Sequence, residues 1–437
     1  MTCEIQLDLR SLIEHFKENR ALLTRKNLDP VYEVALAIQQ AQPHPILAET
    51  TKGQLVSNIF ADRKNLYLVL NAENDQQAYQ KLLKASTNPT PLETIEPRGY
   101  KSIGDDALKL PIPTFYEKDA GPYITAGIFI ARNPYDEAIN ASIHRALLLD
   151  ENTLAVRVVP RHLHHILSQH EKHGKNLPAA ILIGAPPVTY IAASTSPPYG
   201  VYEIEVANTL ANGKLQATTQ ILEGTPLPLP TEIIILGHFQ AGKRAKEGPF
   251  VDITGTYDEV RQQPVYKIEE ILVRQTPIYY AILPAGLEHI HLMGFPREAA
   301  IWEAARKVTP TVRKVRLTKG GAGWLSAVIT MNKHTEGDPK NVIMAAFAAH
   351  PSLKMVTVVD TDIDPDNPSE VEWALATRMQ PHEDIIIIKN ARGSSLDPSA
   401  DQHRLLTSKI GIDATHPLNK DPQLFEKAKI PTHKEQD

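Results

Sequence analysis

Two carboxylates lie close together in the stretch EGPFVDITG, which runs from Glu247 to Gly255. The Gly-Pro pair that follows Glu247 predicts a sharp bend leading into a strand, with Asp252 just beyond it. Two acids placed in this way either take part in proton chemistry or form the polar edges of a solvated turn. The local pattern alone favours the solvated turn.

A second candidate is the histidine-rich segment RHLHHILSQHEKH, which contains His162, His164, His165, His170 and His173. His162 and His165 are three residues apart and could share one helix face, a spacing that metal sites use. Taken alone, the segment is typical of a solvated helix, and we expect at most one or two of its rings to be ligands.

Two cationic residues also stand in unusual settings. Arg145 ends the segment NASIHR, which begins at Asn140 between strand-like runs, and a buried arginine there is costly unless it binds a carboxylate or phosphate. Lys409 lies at the head of a short apolar strand in SKIGIDAT, where it either supports the fold or reaches an anion. In chain order the candidates are Asn140, Arg145, His162, Glu203, Glu247, Asp252 and Lys409.

Other motifs are set aside. The acidic stretch DTDIDPDNPSE has Pro365 where a calcium loop needs Gly and Val371 where it needs a bidentate Glu, so it is interpreted as a helix-capping loop. The stretch TKGGAGW lacks the Lys-Ser/Thr ending of a phosphate-binding loop and is interpreted as a hairpin turn.

The composition excludes several classes of protein. The 437 residues carry mixed charges with a formal net charge of −5, so neither a nucleic-acid groove nor a polybasic membrane surface is indicated. The sole cysteine, Cys3, cannot form an intrachain disulfide, which favours a reducing, cytoplasmic setting. The most apolar stretch, LPAAILIGAPPVTYIAAS, is broken by a Pro-Pro pair and does not predict a membrane span.

The periodicity predicts a mixed α/β protein with three regions. Residues 1–109 are α/β, with helices at LRSLIEHFKEN, VYEVALAIQQA and DQQAYQKLLKAS and a strand at NLYLVLN. Residues 110–296 contain short strands broken by Pro and Gly, a spacing typical of a barrel or sandwich. Residues 297–437 alternate helices and strands, which indicates a further α/β domain, and end in a charged tail, FEKAKIPTHKEQD.

Several motifs in this order resemble the UbiD family of reversible decarboxylases. They are NASIHR, PRHL, PPYGVYEIEVA, EGPFVDITGTYD, DIDPDNPSEVEWALATR and SKIGIDAT. The resemblance extends over nearly the whole chain. It implies an N-terminal α/β segment, a central split β-barrel that binds prenylated FMN, and a C-terminal α/β domain used for oligomerisation, as a homodimer or hexamer.

The resemblance also implies roles for individual residues. Asn140, His162 and Glu203 match positions that hold Mn²⁺ (or Mg²⁺) against the cofactor phosphate, and K⁺ is expected near the backbone of Ala192 to Thr195. Ser142, Ile143, Arg145, Arg161, Ser194 and Lys409 match positions that contact the flavin. Arg145, Glu247 and Asp252 match the catalytic group. Arg161 is a departure, because some relatives have Gln before the metal-binding histidine.

The implied chemistry is loss of CO₂ from an unsaturated acid, with the modified flavin, supplied by a UbiX-type flavin prenyltransferase, as electron sink. We expect Arg145, fixed by Glu247, to orient the substrate carboxylate and Asp252 to remain free to deliver a proton.

The stretches GPYITAG and MAAFAAHPSLK are similar to the archaeal branch, some of whose members decarboxylate trans-anhydromevalonate 5-phosphate. Arg161, Lys243, Arg244 and Lys246 could bind such a phosphate, unless GKRAK is a solvated loop. The alternatives are a decarboxylase of aromatic acids such as 4-hydroxybenzoate, a flavin oxidoreductase, and a catalytically silent assembly protein.

Overall fold

The computed structural model describes residues 8–428, which divide into two compact units with the boundary after Ala299. Cys3 lies outside the described residues, as does the part of the expected tail from residue 429 onward. Within the described chain, no helix has both the length and the apolar character needed to cross a bilayer.

The first unit contains both helices and strands. Its helices are α1 (Leu9–Glu18), α2 (Glu33–Ala41), α3 (Arg63–Leu70), α4 (Asp75–Thr87), α5 (His162–Lys172), α6 (Pro187–Ala193), α7 (Glu203–Leu210) and α8 (Leu287–Val308), the last of which continues past the unit boundary. Its strands are β1 (Leu23–Leu28), β2 (Ile46–Thr50), β3 (Gly53–Ser57), β4 (Glu93–Thr94), β5 (Tyr100–Ser102), β6 (Tyr123–Arg132), β7 (Ile139–Asp150), β8 (Thr153–Val156), β9 (Leu177–Ile183), β10 (Gln216–Thr218), β11 (Leu227–Leu229), β12 (Ile233–Glu247), β13 (Phe250–Val251), β14 (Tyr257–Asp258), β15 (Arg261–Arg274) and β16 (Ile278–Tyr280).

The N-terminal helices α1, α2 and α4 confirm the sequence prediction, but the strand predicted at NLYLVLN is wrong. This segment lies in α3, whose N-terminus is capped by Asp62 accepting the Lys64 N–H at 2.9 Å. Asn71 ends the helix in the left-handed conformation at φ 47°. Leu66 and Leu70, four residues apart, are buried. Caps at both ends and one buried helical face therefore outweigh the strand-like composition.

The prediction of a barrel or sandwich is confirmed as a barrel. Six antiparallel strands pair in the order β12, β9, β6, β7, β8, β15, and β15 pairs again with β12 to close the ring. Three fully buried aromatic side chains, Phe129, Phe239 and Tyr266, pack together, with ring centroids 5.2 to 6.2 Å apart.

The barrel is split beside the first half of β7. This strand pairs with β8 only from Ala146 onward, so the half that carries NASIHR pairs with β6 on one side and not with β8 on the other. After Val156 the chain leaves β8 and enters α5 at His162. The free half of β7 and the N-terminus of α5 therefore frame an opening in the barrel wall.

The second unit confirms the predicted C-terminal α/β domain. It contains β17 (Val312–Leu317), β18 (Ser326–Met331), α9 (Asp338–Ala349), β19 (Met355–Asp360), α10 (Pro368–Arg378), α11 (Pro381–Asp384), β20 (Ile385–Arg392) and β21 (Leu406–Ala414). The sheet order is β17, β18, β19, β21, β20, with a parallel centre and antiparallel edge strands. TKGGAGW forms the turn between β17 and β18, as predicted.

The acidic loop before α10 caps the helix through Asn367, whose side chain accepts the Ser369 N–H at 3.1 Å. Its acids have arginine partners, because Asp362 accepts two hydrogen bonds from Arg378 and Asp366 accepts hydrogen bonds from Arg316. These ion pairs within the unit explain the acids without a calcium ion.

Candidate active site

Arg145 lies between three carboxylates. Its Nε donates to Glu247 Oε1 at 2.9 Å and its Nη2 donates to Glu247 Oε2 at 3.0 Å, so this pair is bidentate. Nη1 donates to Asp252 Oδ2 at 3.0 Å, and Nη2 also donates to Asp258 Oδ2 at 2.9 Å. The exposed fraction of the side chain is 0% for Glu247 and 22% for Asp252, which makes Asp252 the more accessible of these two partners.

A short hairpin brings two of these acids to the arginine. Glu247 ends β12, and Gly248 turns the chain at φ +96°, where an added Cβ would lie 3.2 Å from the Glu259 carbonyl. The strands β13 and β14 then pair, with Asp252 in the turn between them and Asp258 at the end of the return strand. The bend predicted from the Gly-Pro pair therefore positions both predicted acids.

The charges around Arg145 favour its cationic form. Burial by itself lowers the pKa of Arg145, but the hydrogen bonds that it donates to Glu247 and the charges of the acids outweigh that effect and raise it. Burial raises the pKa of Asp258, whereas attraction from Arg145, Arg157 and Arg261 is stronger in sum and lowers it. Arg145 and Asp258 are therefore both ionised at neutral pH.

The expectation that Asp252 stands free of the arginine is wrong. Asp252 Oδ2 accepts from Arg145, and Asp252 Oδ1 accepts the backbone N–H of Ile253 at 2.6 Å. Asp252 and Glu247 reach the same guanidinium because the hairpin folds back over the end of β12. The two acids differ in the number of bonds, two for Glu247 and one for Asp252, and in exposure.

Sequence reasoning missed three residues beside this cluster. Asp258 is the third carboxylate around Arg145, and Tyr123 donates to Glu247 Oε1 at 3.2 Å. His289 accepts the Ala285 N–H at Nδ1, which places its own ring proton on Nε2 when the ring is neutral. Burial lowers the pKa of His289, with Asp252 opposing and Arg145 adding to that shift, so the ring is neutral at pH 7.

The proposed metal-binding residues converge at the split in the barrel. Glu203 begins α7, His162 begins α5, and Glu203 Oε1 lies 4.0 Å from His162 Nδ1. Glu203 Oε2 accepts the Ala141 N–H at 2.7 Å, beside Asn140 on β7. Burial raises the pKa of Glu203 to about 7. A nearly fully buried carboxylate of this kind is stabilised in its ionised form by a cation.

The donor set fits a divalent ion. Among the described residues, no cluster of three or more His, Cys, Asp and Glu side chains could hold a metal, so an ion at this place would need the amide oxygen of Asn140. An amide oxygen, an imidazole and a carboxylate suit Mn²⁺ or Mg²⁺ that also binds phosphate oxygens.

A chain of hydrogen bonds orients that amide. His144 Nδ1 donates to the Arg157 carbonyl at 2.9 Å, so its Nε2 accepts from Ser142 Oγ at 2.8 Å. Ser142 Oγ in turn accepts from Asn140 Nδ2 at 2.8 Å, which turns the amide oxygen to the opposite side. Burial lowers the pKa of His144 to about 4, which keeps the ring neutral in this role.

The other predicted flavin contacts have the following positions. Ile143 is half-buried on the free half of β7, and Arg161 is the exposed residue that precedes α5. Ser194 ends α6 and donates to the Ile191 carbonyl at 2.8 Å. Lys409 belongs to the second unit, where its buried ammonium group donates to the carbonyls of Pro351 and Leu353 at 2.5 and 2.6 Å. A flavin contact for Lys409 stays a prediction.

Comparison with known proteins identifies the class of protein. The family model described as the 3-octaprenyl-4-hydroxybenzoate carboxy-lyase Rift-related domain matches residues 101–287, and the corresponding C-terminal domain matches residues 290–414. The chain therefore belongs to the UbiD family of carboxy-lyases, and it is a decarboxylase. The resemblance drawn from the motifs is confirmed.

Several individual proteins are similar to this chain over nearly its whole length. The chain is 43% identical over 413 residues to anhydromevalonate phosphate decarboxylase of Aeropyrum pernix, covering 94% of this chain and 93% of that protein. It is also 43% identical over 415 residues to the enzyme of that name from Methanothermobacter thermautotrophicus, covering 94% and 97%. The UbiD-class enzyme HmfF from Pelotomaculum thermopropionicum, solved in complex with FMN, superposes with a TM-score of 0.93 at 36% identity, covering 97% of each chain. UbiD-class enzymes bind prenylated FMN, as in a second HmfF structure.

Proposed function

We propose that the protein decarboxylates trans-anhydromevalonate 5-phosphate with prenylated FMN as its cofactor. The observation that carries this proposal is the hydrogen-bonded cluster of Arg145, Glu247 and Asp252 in a chain 43% identical to decarboxylases of anhydromevalonate phosphate. The names of those relatives also support a place in isoprenoid formation.

Arg145 serves as the anchor for the substrate carboxylate. Glu247 holds Nε and Nη2 in a bidentate pair, which fixes the plane of the guanidinium. Nη1 donates to one oxygen of Asp252, whose side chain is more exposed than that of Glu247. A substrate carboxylate takes the place of Asp252 at Nη1, and this exchange positions the carboxylate for loss as CO₂.

Asp252 then delivers the proton. Displacement from Arg145 releases its carboxyl to act as the general acid. The proton goes to the α-carbon that the carboxylate leaves, and the product is 3-methylbut-3-enyl phosphate. Prenylated FMN, when bound, supplies the electron sink that this carbon requires. His289, which is neutral and within electrostatic range of Asp252, would relay the next proton.

The cofactor would be held at the split in the barrel. Asn140, His162 and Glu203 would bind Mn²⁺ or Mg²⁺ against the flavin phosphate, and the backbone from Ala192 to Thr195 would bind K⁺. Ser142, Ile143, Arg161, Ser194 and Lys409 complete the proposed flavin contacts. A UbiX-type flavin prenyltransferase would supply the cofactor, and the assembly would be a homo-oligomer, in keeping with the dimeric form of HmfF that has been solved.

The test is to co-express the protein with a flavin prenyltransferase, record its absorption spectrum, and measure CO₂ release from trans-anhydromevalonate 5-phosphate and from 4-hydroxybenzoate. We expect CO₂ from the phosphorylated acid. Release from the aromatic acid alone would instead identify an aromatic decarboxylase, and neither release nor prenylated FMN would refute the proposal. Asp252→Asn should keep the flavin spectrum and lose turnover, so full activity in that variant would refute the role of Asp252.

A further inference from the structure

Tyr123 lies on the strand next to the one that carries Arg145. It begins β6 and pairs with Leu147 of β7, two residues from Arg145. Because side chains two residues apart on a strand point to the same face, this register places the Tyr123 ring on the same side of the sheet as the guanidinium. A β-bulge between Ile124 and Gly127 adds one residue of β6 opposite Arg145. Strand register therefore brings Tyr123 to the acids that hold Arg145.

The hydroxyl of Tyr123 joins the Glu247 side chain to the bend that follows it. The Gly248 N–H donates to Tyr123 Oη at 3.1 Å, and the hydroxyl uses its own proton to donate to Glu247 Oε1 at 3.2 Å. Glu247 Oε1 also accepts from Arg145 Nε at 2.9 Å. Tyr123 and Glu247 are both 0% exposed, so a bond lost here leaves a buried group unpaired. The carboxylate that holds Arg145 is therefore itself held by Tyr123.

The ring of Tyr123 supports Arg145 by a second route. It packs against the ring of Phe250, with the two centroids 4.0 Å apart and the planes tilted by 38°. Arg145 Cζ lies 5.0 Å from the centroid of the same Phe250 ring, which is within the range of a cation–π interaction. Phe250 therefore connects the two side chains, and its attraction for the guanidinium does not depend on the three acids.

The protonation of Tyr123 suits a supporting role. Burial and the charge of Glu247 raise the pKa of its hydroxyl, and the opposing effect of the Arg145 charge is weaker. The hydroxyl therefore keeps its proton at neutral pH and remains a donor to Glu247. Because the side chain is also fully buried, Tyr123 acts through Glu247 and does not exchange protons with the substrate.

The exchange proposed at Arg145 Nη1 makes this support necessary. When a substrate carboxylate takes the place of Asp252, the bidentate pair with Glu247 must keep the guanidinium in its orientation. The Tyr123 hydroxyl binds Glu247 and Gly248, and neither bond involves Asp252. The support from Tyr123 is therefore unaffected by the exchange.

We propose that Tyr123 is a positioning residue that holds Arg145 in the orientation required to bind the substrate carboxylate. It acts through its hydroxyl on Glu247 and through its ring on Phe250. The proposal rests on the proposed function for the role of Arg145 as the carboxylate anchor. Tyr123 should therefore affect the binding of ligands that carry a carboxylate and leave the binding of ligands without one unchanged.

The test uses the flavin-loaded enzyme and the variants Tyr123→Phe and Phe250→Leu, with Tyr100→Phe as the matched control. The Tyr100 hydroxyl also accepts a backbone N–H and donates to an oxygen, both of Thr231, at 2.9 and 2.8 Å. The control therefore removes two bonds of the same kind from a hydroxyl that binds Thr231 rather than Glu247. Tyr123→Phe keeps the ring and its packing and is expected to fold, and Phe250→Leu tests the second route independently.

Four quantities are measured for each protein: the melting temperature, the flavin absorbance, kcat and KM for trans-anhydromevalonate 5-phosphate, and the calorimetric Kd of two ligands. The first ligand is 3-methyl-5-phosphooxypentanoate, the saturated analogue of the substrate, which has no double bond to react. The second is 3-methylbut-3-enyl phosphate, the product, which lacks the carboxylate. Comparison of the two Kd values isolates the contribution of the carboxylate anchor.

Tyr123→Phe should weaken binding of the saturated acid about 10-fold or more, because a hydrogen bond to the charged group of Glu247 is lost. The value of kcat/KM should fall by a similar factor, whereas the flavin absorbance and the Kd of the product should change little. Phe250→Leu should weaken binding of the saturated acid about 3- to 10-fold, because the cation–π interaction is lost. Tyr100→Phe should lower the melting temperature and leave both Kd values unchanged.

Equal weakening of the acid and the product in Tyr123→Phe would indicate a general distortion of the site and would overturn the proposal. Wild-type kcat and Kd values with a lowered melting temperature would also overturn it, because Tyr123 would then serve only the stability of the fold. If Tyr123→Phe selectively loses binding of the saturated acid but the wild type does not decarboxylate the phosphorylated acid, the positioning role is supported and the proposed function fails. If the wild type decarboxylates that acid and Tyr123→Phe is equally active, the positioning role fails and the proposed function stands.

Discussion

If the proposed divalent ion binds at Glu203, its withdrawal should make the stability of the protein depend on pH through this residue. The exposed fraction of this residue is 3%, and burial raises the pKa of its carboxyl from 4.5 to about 7. Between those values the unfolded chain releases the proton before the folded chain does, so the free energy of unfolding falls as pH rises. The shift of about 2.5 pKa units, at 1.36 kcal/mol for each unit, lowers the free energy of unfolding by roughly 3 kcal/mol above pH 7.

The assay compares the melting temperatures of wild type and Glu203→Gln at pH 5 and pH 7.5, with chelator and with Mn²⁺. The variant keeps an oxygen that can accept the Ala141 N–H but has no ionisable proton. Burial also raises the pKa of Glu288 to about 7, and this contribution is common to both proteins and cancels. With chelator, the wild type should lose several degrees more than the variant as pH rises.

Mn²⁺ should remove this extra loss in the wild type and leave Glu203→Gln almost unchanged, because a bound cation favours the ionised carboxylate. Parallel pH dependence of the two chelated proteins would refute the assignment of a raised pKa to Glu203. Equal stabilisation of both proteins by Mn²⁺ would refute its role as a metal ligand.

Three further changes probe the neighbouring groups. Arg145→Lys replaces a planar fork that makes four hydrogen bonds with an ammonium group that has only three donors, so we expect decarboxylation to be lost and stability to fall by about 1–3 kcal/mol in urea denaturation. Asp258→Asn should lower kcat at least 10-fold with unchanged flavin absorbance, because it weakens the hydrogen bond that holds Arg145 Nη2. An unchanged kcat would mean that Asp258 serves only the stability of the fold. His144→Phe should weaken Mn²⁺ binding by calorimetry about 10- to 100-fold, because Asn140 loses its orientation, whereas the exposed His164→Gln should not.

Much of the fold follows from local patterns in the sequence. Short strands separated by Pro and Gly predict a barrel or sandwich, which the structure shows as an antiparallel barrel, and the alternation from residue 297 predicts the C-terminal α/β sheet. The prediction of a strand at NLYLVLN is wrong. The composition of this segment suits a strand or a helix, and the helix is stabilised by caps at Asp62 and Asn71. Capping geometry depends on backbone angles that composition does not reveal.

The candidate site was predictable in part. The local pattern favours a solvated turn for Glu247 and Asp252, and only the family resemblance groups them with Arg145; the structure brings the three within hydrogen-bonding distance. Asp258 was missed because its neighbours in GTYDEV suggest only a turn, and its approach to the arginine depends on the pairing of Phe250 with Asp258 in the hairpin. Contacts set by strand register over more than a hundred residues leave no local signal in the sequence.

Under the proposed function, the charges at Arg145 predict that binding of the substrate is coupled to proton uptake. Arg145, Arg157 and Arg261 carry three positive charges, and they face the three negative charges of Glu247, Asp252 and Asp258. A substrate carboxylate adds a fourth negative charge to a balanced and largely buried group, which is unfavourable unless one acid is neutralised. Asp252 is more exposed than Glu247 and has the fewest arginine bonds of the three acids, so we propose it as the acid that serves as proton donor. The same competition that admits the substrate therefore prepares the acid that completes the reaction.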